Sequence, residues 1–322
     1  MKKLIYKLGL FFFLVSFVII CSFFITGMMT TNHRLGTTYI KQDRLSSIKQ
    51  NKIILIGGSN LHYGMNSELL EKELGLNVVN MGIQGSIGMA YYFNEIIDQV
   101  KKNDIVIFLA EPAHFGMVSK DGQQTLYNLI SKYPQGVKYL NTNQIVSSPK
   151  KLGVAIQENI SYLLTLFALK INNKQTILEK TNHWGDYEGH KGRGSVYQSK
   201  PKDYSFDMEV LKKGITQSIL DLQEMEKIIK SKDAHLLIGF APIAKSAAYD
   251  DVLQIIDAEV AATFYPTTLG SFTKYILPDE KFYDTHHHLI YDMRDRRTQM
   301  LIENIMENET TASLIKTVSN QY

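Results

Sequence analysis

The chain has 322 residues, 44% hydrophobic and 21% charged, the balance of a folded protein long enough to bury a sizeable core. A net charge of +3 with no basic stripe excludes nucleic acid as the expected partner. The single cysteine, Cys21, excludes an intrachain disulfide framework and a cysteine-based zinc site.

A charge-free apolar run extends from Leu8 to Met29, close to the ~20 residues that cross a bilayer as a helix. Lys2, Lys3 and Lys7 precede it, so residues 1–7 are expected to be a cytoplasmic stub and everything after Thr30 to lie outside. The run stays bulky through Phe23, Phe24 and Ile25, unlike the small-residue exit of a cleaved signal peptide. Val18, Ile19 and Ile20 before Cys21 likewise argue against a lipoprotein site. Residues 8–29 are therefore expected to be an uncleaved single-pass anchor in the cell membrane. Residues 30–50 are polar, carry Lys41, Arg44 and Lys49, and read as a stalk.

The main domain, 51–322, opens with the β-branched run Lys52–Ile56, ended by Gly57 and Gly58. A helix follows at Ser67–Leu74, a strand at Val78–Asn80, a helix over Ile87–Lys101 and a strand at Ile105–Leu109. This alternation predicts an α/β fold with a parallel sheet between helices. Residues 115–205 break the rhythm. They hold an amphipathic helix near Val154–Lys170 and a loop-rich stretch from Thr181 to Lys202, and read as an insertion or cap. The rhythm resumes with a helix near Phe206–Ser231, a strand at His235–Ala241, a helix near Asp250–Ala262 and a closing helix from about Leu289 to Glu307.

In open α/β sheets ligands bind beyond the carboxyl ends of the strands. Those ends carry Gly57-Gly58-Ser59-Asn60, Asn80-Met81-Gly82-Ile83-Gln84-Gly85-Ser86 and Glu111-Pro112-Ala113-His114. Tyr283-Asp284-Thr285-His286-His287-His288-Leu289 lies just before the closing helix. A serine at a strand-to-helix turn is exposed, with backbone N–H groups nearby for an oxyanion, but needs a base oriented by a third group. A Gly-Gly-Ser-Asn turn is equally a loop with a helix cap. The histidine run lacks the partners of a metal site, so no metal and no cofactor is expected.

Taken in order, these motifs resemble the SGNH/GDSL hydrolase family. The resemblance implies a flavodoxin-like three-layer sandwich with Ser59 as nucleophile, Ser59 and Gly85 as oxyanion donors, and Asp284 with a downstream histidine as acid and base. The family's aspartate before the serine is replaced by Gly58. A closer resemblance is to membrane-anchored SGNH-like proteins of bacterial surface-polysaccharide biosynthesis, carried by Glu111, His183-Trp184-Gly185-Asp186 and the Asp284–Leu289 stretch. It implies a polysaccharide or acylated-sugar substrate, substrate-binding roles for Glu111 and Asp186, and polysaccharide-biosynthesis membrane proteins as partners. The family's asparagine after the third strand is absent, and Glu111 stands near its place. The general Asp-x-x-His spacing selects His287 as base, whereas Asp-Thr-x-x-His-Leu selects His288. In a helical turn Asp284 could reach either. His288, next to the apolar Leu289, is the preferred base. The expected activity is serine-dependent acyl-ester hydrolysis or O-acyl transfer outside the membrane. The rival is a catalytically inactive scaffold of the same fold that binds glycan.

Overall fold

The computed structural model describes residues 2–31, 33–147, 149–171, 180–199 and 207–320. The predicted helix start at Phe206 and the end of the loop-rich stretch at Lys202 lie outside these residues.

Helix α1 (Lys2–Met28) is long and apolar enough to cross a membrane. Its side chains are exposed up to Ile20, and it docks on the domain only near its end, through Phe23 and Gly27. Contact there is close: a Cβ on Gly27 would stand 2.0 Å from the Ser131 carbonyl oxygen.

The stretch expected to be a stalk is folded. A 3-10 turn over Arg34–Thr37 leads into α2 (Thr38–Ser47), which buries Lys41 and Leu45. Two of the three charges that suggested solvent are spent internally, and Lys49 is exposed. Lys41 Nζ donates to the carbonyls of Asn80 at 2.8 Å and Gly185 at 2.6 Å. Burial lowers its ammonium to about 7, against the raising charges of Asp186 and Glu95. Arg44 pairs with Glu71 at 2.6 Å.

The core elements follow: β1 (Lys52–Gly57), α3 (Ser59–Gly64), α4 (Ser67–Leu74), β2 (Asn77–Asn80), α5 (Met89–Ile97) and β3 (Ile105–Ala110). The predicted insertion supplies α6 (Gln124–Lys132), α7 (Thr142–Val146) and α8 (Pro149–Ile171). It is not a separate body, because Leu126, Leu129 and Ala155 join the main apolar cluster. Then come α9 (Met208–Lys230), β4 (His235–Phe240), β5 (Ile243–Ala244), α10 (Asp250–Phe264), β6 (Thr268–Leu269) and β7 (Ile276–Leu277). The chain closes with α11 (Arg294–Glu307) and α12 (Glu309–Ser319). The last core helix thus begins at Arg294 rather than Leu289, because Leu289 pairs with Phe282 in a β-bridge.

The central sheet is parallel throughout, in the order β2-β1-β3-β4-β6. Side chains alternate between faces. Ile54, Ile56, Val106 and Phe108 pack into one apolar cluster, and Ile53, Leu55, Ile105 and Ile107 into the other. Helices cover both faces, which is why these strands read as continuous apolar runs. The chain leaves β1 to one side for β2 and returns to the other for β3. That reversal opens a crevice at the carboxyl ends of β1 and β3.

Candidate active site

All three strand-end motifs meet at this crevice, joined by the histidine loop. The chain leaves β1 through Gly57, whose φ of +153° strains any L side chain. It turns at Gly58 and starts α3 on Ser59, which is 8% exposed.

Ser59 Oγ donates to His288 Nε2 at 2.7 Å, and His288 Nδ1 donates to Asp284 Oδ1 at 2.7 Å. The direction follows from the carboxylate, which only accepts: Nδ1 then carries the ring proton and Nε2 is free to take another. The loop holds this pose. The Tyr283 N–H donates to the His288 carbonyl at 2.7 Å, and the His288 N–H to Thr285 Oγ1 at 3.2 Å. Leu289 is fully buried beside Phe282 and Ala244. His287 turns elsewhere, its Nδ1 donating to the Pro242 carbonyl at 2.8 Å, and His286 is exposed. Among the three histidines, the geometry brings His288 to Ser59.

Burial pushes the His288 imidazole below its ordinary value, against the raising hydrogen bond and charge of Asp284. Burial acting alone would raise the Asp284 carboxyl. The hydrogen bond and charge of His288 outweigh it and hold the group below the usual range. His288 is therefore neutral near pH 7, the form a base requires.

Gly85 opens a 3-10 turn (Gly85–Ile87), and its nitrogen would lie 3.0 Å from a Cβ on Gly58. Glu111 lies against both glycines. A Cβ on Gly58 would stand 2.1 Å from Glu111 Oε1, and one on Gly85 2.3 Å from Oε2. The glycines leave the room this carboxylate occupies. Asn60 Nδ2 donates to Glu111 Oε1 at 2.8 Å. Burial opposes ionisation of Glu111, but the charges of His287 and His114 and the Asn60 bond outweigh it, keeping its carboxyl below the usual range. His114 braces the arrangement. Its Nδ1 accepts from the Glu111 N–H at 2.9 Å, and its Nε2 donates to the Gly85 carbonyl at 3.3 Å.

Asp186 is placed otherwise than its expected substrate-binding role. Fully buried, it accepts from Ser67 N at 2.8 Å, Ser67 Oγ at 2.7 Å and Asn80 Nδ2 at 2.7 Å, and pairs with Arg294 at 3.2 Å. Both of its oxygens are engaged in tying α4, β2 and α11 together. Trp184 is a loop anchor, its indole N–H donating to Glu71 at 3.1 Å.

Two residues at the site escaped the sequence reading. Tyr63 stacks on the His288 ring; its place four residues after Ser59, on the same face of a helix, was the available signal. Arg34, within the expected stalk, hydrogen-bonds the Gln84 side chain and acts by its charge on Tyr63. No local pattern marks it. Among the described residues no group of His, Cys, Asp and Glu is placed to hold a metal ion. Comparison with protein-family models, curated proteins and solved structures gives no match.

Proposed function

We propose that this chain is a serine-dependent acyl-ester hydrolase or O-acyltransferase of the SGNH type, with that family's flavodoxin-like three-layer fold. The observation that carries the reading is the unbroken hydrogen-bond chain from Ser59 through His288 to Asp284. Ser59 Oγ attacks the acyl carbonyl carbon as its proton passes to His288 Nε2, and Asp284 stabilises the imidazolium. The N–H groups of Ser59 and Gly85 face the developing oxyanion. Collapse of the tetrahedral intermediate expels the alcohol, which takes the proton from His288. Water or a sugar hydroxyl then releases the acyl group from Ser59 by the same steps in reverse.

The substrate is a surface polysaccharide or its precursor, on the strength of the motif resemblance. The lysines before Leu8 support an anchor in the cell membrane with its N-terminus inside and the site outside. Polysaccharide-biosynthesis membrane proteins are the partners that the resemblance suggests.

One observation favours a second reading, a catalytically inactive glycan-binding scaffold. The Glu111 carboxylate, lying against both glycines, opposes a negative charge developing beside it. Labelling of the detergent-solubilised full chain with a fluorophosphonate serine probe decides between them. Labelling of the wild type that disappears in Ser59→Ala supports the enzyme. A folded wild type that takes up no probe supports the scaffold.

A further inference from the structure

Arg34 has a surrounding that its local role does not explain. It follows the last residue of α1 by six positions, yet its side chain reaches the Ser59 site. One terminal nitrogen donates to Gln84 Oε1, next to Gly85, and the guanidinium charge acts on Tyr63, the ring stacked on His288. Its charge is felt at both Asp284 and His288. Among the described residues no carboxylate lies within ion-pair distance of it. Its Nε is buried and has no hydrogen-bond partner.

A buried guanidinium N–H without an acceptor is costly, and a cation pressed toward the catalytic histidine works against protonation of that base. Such an arrangement costs stability and catalytic power in the free protein. An oxyanion bound at Nε would offset both, since the guanidinium fork matches phosphate and carboxylate oxygens.

We propose that Arg34 is an anion receptor of the Ser59 site, so that the molecule bound there carries a phosphate or carboxylate beside its reacting ester. This deepens the acyl-transfer reading and rests on it for the word ester alone; the anion site stands on the geometry of Arg34. Six residues span at most about 20 Å, so the anion sits close to the end of the apolar helix. Phosphate at that height comes from a lipid headgroup, from a lipid-linked saccharide or from a soluble ester.

The test uses the full chain carrying Ser59→Ala in neutral detergent, titrated calorimetrically with inorganic phosphate and, separately, with acetate. Saturable binding of either is expected, at least ~10-fold weaker in Arg34→Gln, the scale of losing a charged hydrogen bond, and partly restored in Arg34→Lys. Equal binding by Arg34→Gln, or no binding of either anion by the Arg34 form, overturns the proposal. Unchanged thermal unfolding of Arg34→Gln keeps a loss of binding from being a loss of fold. Repeating the titration in nanodiscs separates the sources. Phosphate binding abolished by anionic lipid but not by zwitterionic lipid assigns the anion to a headgroup, and binding that persists in both assigns it to the substrate. Fluorophosphonate labelling of the Ser59 form reports separately on acyl chemistry, so a dead nucleophile and an absent anion site give different results.

Discussion

The Tyr63 ring lies face to face with the His288 imidazole, centroids 4.1 Å apart and planes within 8° of parallel. The stack fixes the ring plane that the Asp284 and Ser59 hydrogen bonds need. An aromatic pair is worth ~0.5–1.5 kcal/mol beyond its buried area. Tyr63→Ala is expected to slow probe labelling up to ~10-fold by letting the imidazole tilt, and to broaden the His288 ring signals in NMR. Tyr63→Phe keeps the stack and should label at nearly the wild-type rate. Equal rates for all three proteins would remove Tyr63 from the positioning of His288.

His288→Gln should slow labelling by at least ~100-fold, the contribution of a general base. His287→Gln should be mild, because that ring holds the Pro242 carbonyl and not Ser59. The reverse ranking would transfer the base to His287.

The pH profile follows from the same ring. Ester hydrolysis requires neutral His288, whose affinity for a proton burial has lowered, so the acid limb should fall below pH 6.5. Asp284→Asn removes two of the three influences that raise it, leaving the charge of Glu111, and should move the limb lower still. The rate should drop by orders of magnitude as the tautomer is lost. An acid limb above 6.5 in the wild type would contradict the environment described for His288.

Asp186→Ala should leave Arg294 buried without its carboxylate, costing ~3–5 kcal/mol in urea unfolding. Protein that remains folded should label at Ser59 like the wild type. An undiminished unfolding midpoint with lost labelling would return Asp186 to the substrate.

The strands were legible because Ile53–Ile56, Ile105–Leu109 and Leu236–Phe240 are buried on both faces and leave no polar alternation. The two-residue strands β5, β6 and β7 carry too little pattern to be seen. The stretch from Arg34 to Ser47 was misjudged because charge is a guide to solvent only when its partners are near in sequence. Lys41 donates to Asn80 and Gly185, and Arg34 to Gln84, all remote along the chain. A truncation starting near Ile48, reasonable from sequence, removes both side chains. At the site, Ser59, Asp284 and the histidine run stood out as motifs. The buried Leu289 singles out His288 within the run, and what sequence does not show is the contact of that ring with Ser59, 229 residues away.

The close seat of Gly27 on Ser131 has a mechanical meaning. A domain on a slack tether sweeps a hemisphere and meets targets at many heights and angles. Here the Thr30 hydroxyl donates to Asn159, and among the described residues a folded turn and helix follow before the sheet begins. With α1 upright in a bilayer, the domain turns as the helix turns, like a flag on its pole. On the proposed anchoring, the Ser59 site would keep one altitude and one tilt, and encounters would become a search in two dimensions among molecules presented at that altitude. A spacer of several glycines inserted after Thr31 would restore the sweep and detach Arg34 from that fixed height.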